Sequence, residues 1–272
     1  MWEHALIPVN VHRRLVDTLA MTTFLENFAT SHVTLVHVNS APEHHKTIDV
    51  LNVLRQQLAD AGRETDIVLR RGHVATAVVE AAHTSGSDFI CIPWRRKGML
   101  KRGLLGSITT DIIRMADIPV FVYQKHGSDI DGNRLHRVLY ATEFARTDNR
   151  VMPYLTSHGI KATHLTLLHV GQRAPDPVAE QARRLRVNKN LNRLADACRS
   201  SFTQIDQVAV IGSPKRQIVR HARRLNTDLI IIGTFDSENP LEQVLGSTAE
   251  GMTHAAPCSV LTIPGIKTRG GS

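Results

Sequence analysis

Along the first half of the chain, short apolar runs alternate with stretches in which apolar residues recur every three or four positions. The runs at 4–9, 31–38, 65–69, 88–92 and 119–123 are rich in Val, Ile and Leu and are bounded by polar or turn residues, a pattern that predicts five strands. Residues 11–29, 47–62 and 74–86 between them carry the helical spacing. Strands that are apolar at nearly every position need cover on both faces, and intervening helices supply it in a parallel sheet built from right-handed βαβ units. The expected fold is therefore α/β and doubly wound, a five-stranded parallel sheet of order 3-2-1-4-5.

The same pattern returns in the second half. SDFICI (87–92) matches TDLIII (227–232) and LLGS (104–107) matches VLGS (244–247), both at an offset of 140. Nearer the start, SHVTLVHV (31–38) matches THLTLLHV (163–170) at 132, and HALIPV (4–9) matches RVLYAT (137–142) at 133. The step in offset falls between the second and third strands, which predicts a longer second helix in the second copy. Residues 124–136, QKHGSDIDGNRLH, are polar and rich in Gly, Asp and Asn and read as a linker. Two domains of ordinary size result, 1–125 and 135–267.

With 42% hydrophobic and 21% charged residues, each half can bury a core of its own. No window approaches the ~20 apolar residues of a membrane span, and MWEHALIPVN lacks the charged start and long apolar core of a signal peptide. Cys91, Cys198 and Cys258 form no CxxC and cannot all pair, which fits a reducing compartment and a cytoplasmic location. The net charge of +8 divides into +2 for residues 1–125 and +6 for the rest, with the excess in 182–199 and 213–225, both read as amphipathic helices. Right-handed crossovers would put those helices on opposite faces of the sheet, so their charge is not expected to form one patch and a nucleic-acid partner is disfavoured. The 15 histidines show no HExxH or Cys/His ligand spacing and are read as surface or core residues rather than metal ligands.

In a doubly wound sheet, ligands bind beyond the carboxyl ends of the strands where the winding reverses, here between strands 1 and 4. That point gathers Val9-Asn10 and Thr142-Glu143 from strand 1, Val38 and Val170 from strand 2, the end of strand 4 and the start of helix 4. In the second copy strand 4 runs into Gly233-Thr234-Phe235-Asp236, then nine residues intervene before Gly246-Ser247-Thr248 open a helix. Glycine at these places permits close approach and free turning of the backbone, and the first amides of a helix can hold phosphate oxygens.

These residues resemble the nucleotide-binding members of the universal stress protein family, whose loop has a glycine, two residues, a glycine, nine residues, then a glycine followed by Ser or Thr. The resemblance extends to the two-copy arrangement, the His-Val ending strand 2 and the closing strand after Ala256-Pro257-Cys258, and it covers nearly the whole chain. It implies a Rossmann-like, adenine nucleotide alpha hydrolase-like fold and a stress-response regulatory protein that binds ATP or a related adenine nucleotide, with Mg or Mn as companion ion. By that resemblance Thr142 and Glu143 meet adenine or ribose, Val170 meets adenine through its backbone, and Gly233, Asp236, Gly246, Ser247 and Thr248 follow the ribose and phosphates. The first-domain counterparts are Asn10, Val38, Arg96, Gly106 and Ser107.

The chain also departs from the family pattern. The Asp that closes strand 1 in the family is Asn10 in one copy and Glu143 in the other, and Asp236 takes the place of the middle glycine. Such a carboxylate brings negative charge towards a polyphosphate unless a metal intervenes or the side chain turns away. Pro93 and Arg96 replace both leading glycines of the first copy, although Arg95, Arg96, Lys97, Lys101 and Arg102 suit an anion in charge. Ser247 with Glu250 three residues on also forms a capping box that holds helix 4 without any ligand, and Ser107 can cap likewise.

Two readings stand side by side: adenine-nucleotide binding in the second domain, or a family member without nucleotide that acts through protein contacts or another small ligand. The P-loop, dinucleotide and GxSxG signatures are missing, so at most slow ATP hydrolysis is expected, with no base or nucleophile to name. The family also pairs domains through its last strand. Here 119–124 and 259–264 are apolar edge strands expected to pair within the chain, with homo-dimerisation as a further option.

Overall fold

The structure is a computed structural model that describes residues 2–11, 16–39, 45–93, 107–124, 135–144, 147–157, 159–234, 252 and 255–265. The chain divides into two compact units, Met1–Arg134 and Leu135–Ser272. Residues 125–134 of the expected linker lie outside the described residues. No helix among the described residues is long and apolar enough to cross a membrane.

The first unit carries β1 (His4–Pro8), α1 (Val16–Phe24), β2 (His32–Asn39), α2 (His45–Asp60), β3 (Glu64–Arg71), α3 (Val74–Thr84), β4 (Phe89–Pro93), α4 (Ser107–Met115) and β5 (Val120–Tyr123). Its strands lie in the order β3-β2-β1-β4-β5 and pair in parallel throughout. The second unit repeats the plan with β6 (Arg137–Thr142), α5 (Thr147–Thr156), β7 (His164–Gly171), α6 (Pro177–Cys198), β8 (Gln204–Ile211), α7 (Pro214–Arg224), β9 (Leu229–Gly233) and β10 (Ser259–Ile263). Its order is β8-β7-β6-β9-β10, again parallel, so each unit is the doubly wound 3-2-1-4-5 sheet expected from the sequence. The longer second helix is present: α6 has 22 residues against 16 in α2.

The central strands are apolar because both faces are covered. Leu6, Ile7, Leu35, Ile90, Leu139, Leu167 and Ile230 are all fully buried. The first unit adds an aromatic cluster, in which Trp2 sits 5.0 Å from Phe28 and 5.3 Å from Phe89 between ring centroids. That packing explains why a tryptophan stands at the second position of the chain.

The duplication reaches down to single hydrogen bonds. The Asp88 carboxylate accepts from the N–H groups of Glu3 (2.9 Å) and His4 (3.1 Å), and the Asp228 carboxylate accepts from those of His136 (2.9 Å) and Arg137 (2.8 Å). Each clamp ties the start of strand 1 to the start of strand 4. His32 pairs with Asp66 at 2.9 Å, and His164 pairs with Asp206 at 2.8 Å. Helices α3 and α7 end alike, with Gly86 at φ +65° and Asn226 at φ +48°, and with the N–H groups of Ser87 and Thr227 bonded back to Ala82 and Ala222. Glycine and asparagine tolerate that left-handed geometry best, so the substitution keeps the cap.

Candidate functional site

β6 ends where the winding of the sheet reverses, and such a reversal leaves a crevice in which ligands bind. The Thr142 side chain is buried, donates to the Asp148 carboxylate at 2.9 Å and accepts the Phe144 N–H at 3.0 Å. Tyr140, two residues earlier on the same face of β6, donates its hydroxyl to the same carboxylate. Asp148 stands in the first turn of α5 and is itself buried, so this network fixes the start of the helix against the end of the strand. Burial and the neighbouring Asp148 push the Tyr140 phenol far above its ordinary value. Burial likewise raises the Asp148 carboxyl, while the two hydroxyl bonds pull the other way. In the first unit Ile7 and Val9 occupy the aligned positions, both buried and apolar, so the network belongs to the second unit.

A second tie crosses from β7. His169 Nδ1 lies 3.0 Å from the Thr142 carbonyl, and His37 Nδ1 lies 2.8 Å from the Val9 carbonyl at the aligned place in the first unit. A carbonyl can only accept, so in each ring Nδ1 carries the hydrogen. Two of the histidines thus lock the ends of strands 1 and 2 together.

Phe144 then turns sharply. Its φ is +60°, a left-handed value uncommon for a bulky residue, and its ring stacks on His169 at 4.3 Å between centroids. The turn has a consequence for Val170. His164 N–H donates to the His136 carbonyl, so strand alternation aims the main chain of even-numbered β7 residues, Val170 included, at the β6 side. The β6–β7 register stops at Thr142↔His169, and the N–H of Phe144, which would continue the ladder to the Val170 carbonyl, is turned to Thr142 instead. Among the described residues the Val170 carbonyl is left facing the β6 side without a main-chain partner.

β7 nevertheless runs one residue beyond the expected end, to Gly171, and β2 runs to Asn39 rather than Val38. The cause is the third strand, whose pairing continues through Gly171↔Ile211 and Asn39↔Arg71. In the first unit Asn10 follows β1 as an exposed residue, and Pro93 closes β4. Ser107 opens α4. Arg96, Gly106, Asp236, Gly246, Ser247 and Thr248 lie outside the described residues.

Gly233 closes β9, where a Cβ atom would come within 2.8 Å of Thr147 Cβ. The first residue of α5 therefore fills the space beside the glycine, and packing by itself requires glycine there. Glu143 sits beside this group, exposed as a residue but with its carboxyl partly shielded from water. Burial pushes its carboxyl above the ordinary value; His169 opposes the shift and Asp148 adds to it. A carboxyl raised on folding costs stability as pH rises from the unfolded value, near 4.3, through the folded one, because the unfolded chain loses its proton first. Glu143→Gln is therefore expected to raise the melting midpoint at pH 7 and to leave it unchanged near pH 4, as a pH series of thermal melts would record.

Sequence reasoning missed Asp148, Tyr140 and His169. A signal was available, since Tyr140 and Thr142 are two polar-tipped residues on one face of a strand that is otherwise apolar. Among the described residues no group of His, Cys, Asp and Glu is placed to hold a metal ion. The three cysteines are buried and unpaired.

Comparison with known proteins agrees with this architecture. The model of the universal stress protein family matches the chain twice, over residues 20–124 and 136–264. Universal stress protein A homolog 1 of Coxiella burnetii is 37% identical over 57 residues, a stretch covering 21% of this chain and 39% of that relative's length. Among solved structures, a universal stress protein from Archaeoglobus fulgidus superposes with a TM-score of 0.76 at 18% identity, covering 96% of this chain and 98% of that one. A putative universal stress protein from Pseudomonas aeruginosa gives 0.74 at 18% identity, covering 96% and 93%. The chain belongs to the universal stress protein family, as a member that carries the family's domain in tandem.

Proposed function

We propose that the protein is a cytoplasmic stress-response regulator that binds ATP or a related adenine nucleotide in its second domain. The observation that carries this reading is the Val170 carbonyl, left without a main-chain partner among the described residues because Phe144 turns its N–H to Thr142. An exocyclic amino group of a purine needs such an acceptor, and a main-chain acceptor fixed by the sheet loses no side-chain entropy on binding. Thr142 is held in place by Asp148 and His169, so Glu143, next along the chain, stands on a rigid support at the same end of the sheet. In this reading Glu143 meets the ribose. Gly233, Asp236 and the segment Gly246-Ser247-Thr248, expected from the sequence to open a helix, take the phosphates with Mg or Mn. Asn10, Val38, Arg96, Gly106 and Ser107 form a weaker counterpart in the first domain.

The domains are taken as 1–125 and 135–267. In this reading segments 119–124 and 259–264, both mostly apolar, pair with each other within the chain, which would protect two edges that otherwise invite aggregation. The test is a thermal melt with and without ATP and Mn²⁺. A ligand at a hundred times its dissociation constant adds about 2.7 kcal/mol to stability. Gly246→Val is expected to abolish the shift and Gly106→Val to keep it; the reverse pattern would move the site to the first domain.

A second reading is favoured by the stack of Phe144 on His169 and by Thr147 beside Gly233, both of which fill space near the crevice with protein. Under it the protein works through another ligand or through protein contacts, and the melt shows no shift with ATP.

A further inference from the structure

β8 is the outermost strand of the second unit's sheet, and its free edge is built differently from its paired one. Gln204 N–H donates to the Thr163 carbonyl and Gly212 N–H to the Gly171 carbonyl. Strand alternation then turns the main chain of the even-numbered residues towards β7 and that of Gln207, Ala209 and Ile211 outwards. Those three residues are the exposed ones along this stretch. The Ile211 carbonyl takes a bond from Gln217 Nε2 at 3.1 Å, and among the described residues nothing in the chain pairs with the main chain of Gln207 or Ala209.

The end of this edge, Ala209 to Ile211, is the floor of a cleft of about 630 Å³, with α6 contributing Arg183 and Arg184 to one wall and α7 contributing Arg220 and Arg224 to the other. The expectation that the two basic helices keep their charge apart is thus corrected. Right-handed crossovers put the two helices on opposite faces, yet both contribute arginines to the lining of one cleft at the β8 edge. Glu180 is the acidic residue of the lining, and it is taken up by Arg183 (2.8 Å) and Arg184 (2.9 Å), which hold its carboxyl well below the usual carboxylate range. Arg220 and Arg224 have no acidic partner among the described residues. At the positions 140 earlier the first unit has Glu80 and Thr84, so this charge belongs to the second unit alone.

We propose that the cleft is a docking site for an extended acidic peptide segment, which adds to β8 as a further strand while its carboxylates meet the arginines of the two walls. The outward main-chain donors and acceptors of Gln207 and Ala209 match another strand, and successive side chains of such a strand point alternately at α6 and α7. A second copy of this edge would bring like charges together, which opposes self-pairing. A single-stranded nucleic acid would want stacking rings, and apart from the buried His221 the lining has none.

The test uses the full chain and a fluorescent octapeptide rich in aspartate, glutamate and valine, followed by anisotropy at low and high salt. Binding is expected to weaken with salt and to fall at least about tenfold when alternate peptide amides are N-methylated or lysine replaces the acids. The pair Arg220→Glu and Arg224→Glu is expected to do the same. Ala209→Pro removes only an outward N–H, so it should lose peptide binding while the melting midpoint stays near that of the parent. Absence of binding at millimolar peptide would overturn the proposal. So would equal binding of the N-methylated peptide, or of inorganic polyphosphate indifferent to Ala209→Pro, since either would make the cleft a plain anion trap.

Discussion

Gly233→Ala is expected to destabilise the second unit by about 1–3 kcal/mol, at the upper end because the added atom meets a near-backbone carbon rather than a flexible tip. The clash is with Thr147 Cβ at 2.8 Å, and Thr147 opens α5, so relief requires the helix start to move. The same helix start carries Asp148 and its bonds to Thr142. A shift there would be transmitted to the end of β6. Urea denaturation of Gly233→Ala, of Thr147→Gly and of the double variant measures this. If the contact is the reason for the glycine, the double variant recovers most of the loss attributable to Gly233→Ala, a coupling of the size seen between touching residues. Additive effects would show that the glycine is there for something else.

Asp148→Ala should be more damaging, by roughly 3–5 kcal/mol, because it leaves two buried hydroxyls without their acceptor at about 1–3 kcal/mol each. Those hydroxyls belong to Tyr140 and Thr142, both almost fully buried. Against a total stability of about 5–15 kcal/mol for a domain, such a loss unfolds a sizeable fraction of the second unit at physiological temperature. Adding Tyr140→Phe and Thr142→Val removes the stranded groups and is expected to restore part of the stability, since deleting all partners of a buried bond costs less than deleting one. Chemical denaturation of the single and triple variants decides the matter. A loss below 1 kcal/mol for Asp148→Ala would mean that water reaches the network.

Strand positions, sheet order and the duplication were legible in the sequence because each rests on burial, and burial leaves a periodic trace. The longer α6 was legible as a step in the repeat offset. Gly233 was legible as a position that needs glycine, but not the reason, because a glycine facing a ligand and a glycine facing Thr147 look alike in one dimension. The left-handed turn at Phe144 left no trace, since phenylalanine has no preference for that geometry. The roles of His37 and His169 were hidden among 15 histidines, although their aligned places at the ends of HVTLVHV and HLTLLHV could have singled them out. The arginine cleft escaped because topology fixes helix axes, whereas side-chain reach decides what meets at an edge one strand wide.

The crevice at the end of β6 and β7 is the centre of the account, and a crystal structure of the full chain grown with ATP and Mn²⁺ tests it most directly. Density for an adenine ring is expected within hydrogen-bond distance of the Val170 carbonyl, with the ribose beside Glu143. A nucleotide bound elsewhere, or no nucleotide beside Val170 at saturating ATP, would contradict it.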